Sequence, residues 1–113
     1  MIVTIQSAEG LAKHLEKNAV TLVDFWAPWC GPCKVMNPIL DQLDQDESMS
    51  ISIVKVNIDE APDLASHQEI TSIPCLKLFV NGKNVESKVG AQSLVQLKSW
   101  ISLYTPSSQN ISV

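Results

Sequence analysis

Val20-Thr21-Leu22-Val23-Asp24-Phe25-Trp26-Ala27-Pro28-Trp29-Cys30-Gly31-Pro32-Cys33-Lys34 is the stretch on which the reading of this chain turns. Its first seven residues are a near-continuous apolar run, the pattern of a strand covered on both faces. Past the Cys-x-x-Cys pair, Cys33 to about Gln45 reads as a helix with Val35, Met36, Ile39, Leu40 and Leu43 as its apolar stripe. Pro38 falls inside it, and the missing backbone donor predicts a kink. The two cysteines thus lie where a buried strand ends and a helix begins. Free amides and the macrodipole at a helix start stabilise a thiolate and lower a thiol pKa below its usual value of about 8.5. Cys30, just before or at the first turn, receives that benefit and can be exposed. Cys33 lies one turn further in, shielded but within reach. One thiol suits attack on a disulfide, the other attack on the mixed disulfide that results. Pro32 suits a first helical turn and, with Gly31, sets how the two sulfurs approach each other.

Outward from this centre, Ile2–Gln6 alternates as a first strand, and Ser7 caps a helix to about Lys17 with Leu11 and Leu15 on one face. Ile51–Ile58 is a β-branched strand, followed by a short helix over about Pro62–Gln68. Cys75–Val80 is a fourth strand, and Asn81-Gly82 is a tight-turn signal into Asn84–Val89. Ser93 caps a last helix carrying Leu94, Leu97, Trp100 and Ile101. The strand–helix–strand unit from Val20 to Ile58 demands a parallel pair with a right-handed crossover, and the Asn81-Gly82 turn adds an antiparallel partner. The expectation is a mixed five-stranded sheet between helices, a three-layer α/β fold. Residues 1–104 form one domain and 105–113 a flexible tail. Asn110-Ile111-Ser112 matches a glycosylation acceptor and is read as chance.

Composition removes several function classes. The chain has 113 residues, 45% hydrophobic and 18% charged, with eight basic against twelve acidic side chains and a net charge of −4. That balance disfavours a nucleic-acid binder, which needs a basic patch. No run of about 18 apolar residues exists to span a membrane. Met1–Gln6 lacks a basic region and a long apolar stretch, which predicts no signal peptide and a chain held in a reducing compartment. Three cysteines, Cys30, Cys33 and Cys75, are too few for a disulfide scaffold. Half of a structural zinc site is the bland reading of Cys30 and Cys33. Zinc wants four ligands, however, and only Cys75, His14 and His67 remain, the two histidines on helices and expected in solvent.

Asp24 interrupts its apolar strand six residues before Cys30, and Lys55 likewise interrupts the next. Desolvation raises a buried carboxyl toward neutrality, where it works best in acid–base catalysis. Parallel neighbours would bring the two side chains together, and an ion pair without catalytic task is the alternative. Ile73-Pro74 precedes the fourth strand; from sequence alone a cis bond there is the minority reading. Trp26 and Trp29 bracket the cysteines. In the fourth strand Leu76 and Leu78 share one face while Cys75, Lys77 and Phe79 share the other, so the Cys75 sulfur is expected to point away from the dithiol.

Taken together, Val23–Lys34, Pro38, Lys55, Asp59, Ile73-Pro74, Asn81-Gly82 and Val89-Gly90-Ala91 resemble the thioredoxin family, in order, over about residues 1–104. The resemblance implies a thioredoxin fold and a protein-disulfide reductase, with Cys30 attacking and Cys33 resolving. Low-pKa dithiols of this kind have thioredoxins themselves as a standard example, so that property is inherited from the resemblance. It also implies proton transfer at Cys33 by Asp24 with Lys55 as charge partner. The bond before Pro74 should be cis, leaving the Ile73 backbone free to pair with a substrate strand, and Gly90 should leave that substrate room. Trp29, Gly31 and Pro32 complete the implied substrate surface. The family implies no bound cofactor or metal. Electrons come from NADPH through a flavoprotein thioredoxin reductase and pass to disulfide-containing clients, in cytoplasmic electron transport and cell redox homeostasis, by a monomer. A thiol–disulfide protein serving one client, or a binding subunit with an incidental dithiol, are the alternatives. Cys75 in place of the usual Thr, Thr71-Ser72 in place of an Arg-Gly pair, and the lack of a Tyr near Gln68 depart from the family pattern on or near the recognition surface.

Overall fold

The order of elements follows from where apolar runs stop. In the computed structural model, which describes residues 1–105, these are β1 (Ile2–Thr4), α1 (Ala8–Lys17), β2 (Val20–Trp26), α2 (Gly31–Gln45), β3 (Ser52–Asn57), α3 (Pro62–His67), β4 (Cys75–Val80), β5 (Lys83–Val89) and α4 (Leu94–Ser102). One five-stranded sheet has the order β1-β3-β2-β4-β5. β1 and β2 run parallel to β3, while β4 is antiparallel to β2 and to β5. The parallel pairs need crossovers, which α1 and α2 supply. The β4–β5 hairpin turns at Asn81 (φ 51°) and Gly82 (φ 84°), the two positive dihedrals that an Asn-Gly turn supplies at least cost.

Period-two alternation splits the core between the faces of the sheet. Leu22, Ile53, Leu76 and Leu78 pack against Met36, Leu40 and Leu43 of α2 and Leu97, Trp100 and Ile101 of α4. Val23, Phe25, Val54, Val56, Cys75 and Phe79 pack against Leu11 of α1 and Leu64 of α3. Strand β2 is central and buried through Phe25, as a strand covered on both faces should be.

Several expectations are corrected. Helix α2 starts at Gly31, two residues before the expected Cys33, with Cys30 as N-cap. Pro38 lies inside this helix, as expected, and its ring leaves the Lys34 carbonyl without an i+4 donor. Val35 is 56% exposed, because it and the buried Met36 lie about 100° apart on the helix and only one can face the sheet. β1 ends at Thr4, although the Ile5 amide still donates to the Lys55 carbonyl at 3.1 Å. His14 is half-buried and bonded to Ser52 Oγ at 3.0 Å, whereas His67 is exposed. Burial holds the His14 pKa below its ordinary value. Of the expected tail only Thr105 is described; Asn110-Ile111-Ser112 lies outside the described residues.

Candidate active site

Strand direction assembles the site. The parallel strands β2 and β3 end at Trp26 and Asn57, the antiparallel β4 begins at Cys75, and β5 ends at Val89. One edge of the sheet therefore gathers the loops carrying Cys30, Asp59, Pro74 and Gly90. Ligands of open α/β sheets bind at such an edge. Three surface concavities lie at the opposite edge. One, of about 540 Å³, is bounded by Leu15, Asn18, Asn81 and Gly82. Others of about 260 and 230 Å³ sit beside Val20 and Met49. None is lined by a residue of the Cys-x-x-Cys segment.

Past Trp26 the chain turns through Ala27-Pro28-Trp29, closed by the Cys30 amide donating to the Ala27 carbonyl at 3.2 Å. Cys30 then caps α2. The Cys33 amide donates to Cys30 Sγ at 3.2 Å, an orphan amide of the first turn aimed where thiolate charge would develop. Gly31 and Pro32 fill the first two helical positions, where the missing donor of proline costs nothing. Cys30 and Cys33 are joined as a disulfide with Cα atoms 5.2 Å apart. Cys30 is 6% exposed and Cys33 1%. With Ala27 they form a small buried cluster against Trp26, Ile58 and Ile73. Among the described residues no group of three or more His, Cys, Asp or Glu side chains could hold a metal ion.

Ile73-Pro74 is a cis peptide and abuts the dithiol through Ile73. The Pro74 carbonyl accepts the Gly90 amide at 2.8 Å, which draws the end of β5 to the site. Gly90 has φ 95°, a conformation that favours glycine, and a Cβ there would point into open space. Trp29 is 67% exposed, yet its indole Nε1 donates to Asp59 Oδ2 at 3.0 Å and so holds a fixed direction beside Cys30.

Asp24 is fully buried, and neither carboxyl oxygen has a hydrogen-bond partner. Burial pushes its pKa up from 3.8 to about 7, with the positive charge of Lys55 pulling the other way. Lys55 is the register partner of Asp24 across β2 and β3, as parallel pairing predicts. The ion pair itself is not made. The Lys55 ammonium donates to Asn37 Oδ1 and lies over the Trp26 ring, 4.6 Å from its centre. Ion pairs among the described residues are Met1–Asp44, Lys13–Glu9, Lys88–Glu86 and Lys98–Asp46. Asn37 is the site residue that sequence reasoning missed. Its signal was a polar side chain four residues after Cys33, beside an apolar stripe. Cys75 is a buried free thiol in the layer against α1 and α3, opposite α2. Burial raises its pKa, the charge of Lys77 lowers it and that of Asp24 raises it.

A thioredoxin family model matches residues 2–103. The chain belongs to the thioredoxin family. It is 42% identical to the thioredoxin of Buchnera aphidicola over 102 residues, 88% of this chain and 94% of that one. It is 48% identical over 77 residues to the chloroplastic M-type thioredoxin of Spinacia oleracea, 68% of this chain and 42% of that one. A variant thioredoxin from Halobacterium salinarum superimposes with a TM-score of 0.87 at 34% identity, over 93% of this chain and 91% of that one. The thioredoxin assignment makes the chain a thiol–disulfide oxidoreductase whose redox-active pair is Cys30–Cys33, reducing protein disulfides. No described helix is long and apolar enough to cross a membrane.

Proposed function

We propose that Cys30 is the attacking thiol and Cys33 the resolving one. The observation that carries this is the asymmetry of α2: Cys30 caps the helix and its sulfur accepts an N-terminal amide, whereas Cys33 is the more deeply buried. In the reduced protein the Cys30 thiolate attacks one sulfur of a client disulfide, forming a Cys30–client disulfide and expelling a client thiolate. Cys33 gives its proton to the Asp24 carboxylate and attacks Cys30 Sγ, which forms the Cys30–Cys33 bond and expels the second client thiolate. Each client thiolate takes up a proton, so two electrons pass from dithiol to client. A carboxyl with a pKa of about 7 exchanges protons readily at neutral pH, which supports Asp24 in this role, with Lys55 tuning it.

Clients dock on the surface made by Trp29, Gly31, Pro32, Ile73, Pro74 and Gly90, with the Ile73 backbone pairing to an extended client segment. The fixed indole of Trp29 and the open space above Gly90 support this. The oxidised pair is returned to the dithiol by a flavoprotein thioredoxin reductase drawing on NADPH. Residues 1–104 act as one domain, a monomer serving cytoplasmic redox homeostasis. In the test, Cys33→Ser accumulates mixed disulfides with a protein client on Cys30, and Cys30→Ser reduces nothing and traps nothing. Trapping by Cys30→Ser alone reverses the assignment.

A further inference from the structure

We propose that Asn37 is a positioning residue for the thiol–disulfide reaction: its side-chain carbonyl holds the Lys55 ammonium over Trp26 and off Asp24, leaving that carboxyl without an ion-pair partner. This rests on the proton role given to Asp24 above. Asp24 and Lys55 are directly opposed in register on neighbouring strands, a placement that by itself favours an ion pair. A buried carboxyl beside an ammonium normally closes one, since a lone buried charge is costly unless it is paired. Here the lysine stem turns instead to α2, where Asn37 Oδ1 accepts a hydrogen bond from the ammonium, which also lies over the face of the Trp26 ring.

Asn37 lies one helical turn beyond Cys33, on the helix that covers the face to which Asp24 points. It therefore links the helix bearing the dithiol to the cation that governs the carboxyl. Other groups leave this control to Lys55. From β4 the residue opposite Asp24 is Leu76, and its neighbour Cys75 faces the other layer as a thiol. From α2 the sheet-facing residues are Cys33, held in the disulfide, and the uncharged Met36 and Leu40. Lys55 is the charge that acts on Asp24, and Asn37 decides how close it comes.

The test uses the oxidised full-length chain, in which Cys30 and Cys33 do not titrate, with Asp24 followed by NMR of its carboxyl carbon across neutral pH. Asn37→Ala frees the ammonium, and the Asp24 midpoint should fall by about one pH unit, the low end of what an opposite charge within about 4–6 Å brings. Asn37→Asp keeps an oxygen acceptor for Lys55, and its midpoint should stay at or above the native one. In a Lys55→Met background Asn37→Ala should move nothing further. A midpoint unmoved by Asn37→Ala, one lowered equally by Asn37→Asp, or one still moved without Lys55 overturns the proposal. The acid limb of mixed-disulfide resolution should move with the midpoint. If the midpoint moves and the limb does not, Asn37 places Lys55 as proposed and the proton role of Asp24 fails.

Discussion

Asp24→Ala tests the energetics of the site through pH rather than through a single stability. The carboxyl has an ordinary pKa of 3.8 and one of about 7 in the fold, raised by burial. Between those values the folded chain keeps a proton that the unfolded chain has released. The unfolded state binds fewer protons there, so stability must fall as pH rises through this window. Below about pH 4 both states are protonated and the group is neutral to stability. Above about pH 7 the full penalty is present, about 4 kcal/mol for a displacement of this size. A penalty of that order is a large fraction of the stability of a small domain. Replacement by alanine removes it and leaves a small void, whose cost does not depend on pH. The difference in unfolding free energy, variant minus native, should therefore climb by about 4 kcal/mol between about pH 4 and 8 and then level off. Urea unfolding of the two oxidised proteins at matched pH measures it, provided the m-values agree. Contributions from His14 are common to both chains and cancel. A flat difference would refute the reasoning, since the void alone cannot climb. One that fell with pH would mean that Asp24 is stabilised as a carboxylate.

Cys75→Thr should keep near-native turnover, because its sulfur sits in the layer against α1 and α3; in the reduced protein Cys30 should alkylate well before Cys75, and mass mapping of the oxidised protein should find Cys75 free. A disulfide containing Cys75, or a large loss of activity in the threonine variant, would falsify that. Gly90→Ala should cost about 1–3 kcal/mol in urea unfolding from its φ of 95°. It should also raise KM for a protein client while leaving reduction of a small disulfide unchanged; equal effects on both substrates would remove Gly90 from the docking surface.

Legibility in the sequence followed the number of independent constraints on each element. β2 and β4 were readable to the residue because continuous apolar runs end in Pro28 and in Asn81-Gly82. The start of α2 was placed two residues late, at Cys33, because its apolar stripe begins only at Val35, although Pro32 is suited to a first turn where amides lack partners anyway. β3 was expected one residue longer at each end, and the Ile58 amide does still donate to the Trp26 carbonyl at 2.9 Å. The dithiol, Asp24 and Lys55 were legible as breaks in pattern: a paired spacing and two charges inside apolar strands. Their opposition followed from parallel register.

What strand alternation could not convey is the direction of a long side chain. Register fixes the Lys55 Cα against that of Asp24, but its ammonium ends several bonds away and can reach β2 or α2. The choice depends on Asn37 and on the ring of Trp26, from two elements that meet only in the folded chain. That choice decides the chemistry. With the ammonium on Asp24 the carboxyl would be held charged and ordinary; with it on Asn37 the carboxyl stays without a hydrogen bond, as a buried acid that titrates near neutrality. Stability alone would favour the first arrangement, as unpartnered buried polar groups are costly. Local rules are broken most often where a site works. Here the broken rule lies on the face covered by α2, the helix that carries both cysteines.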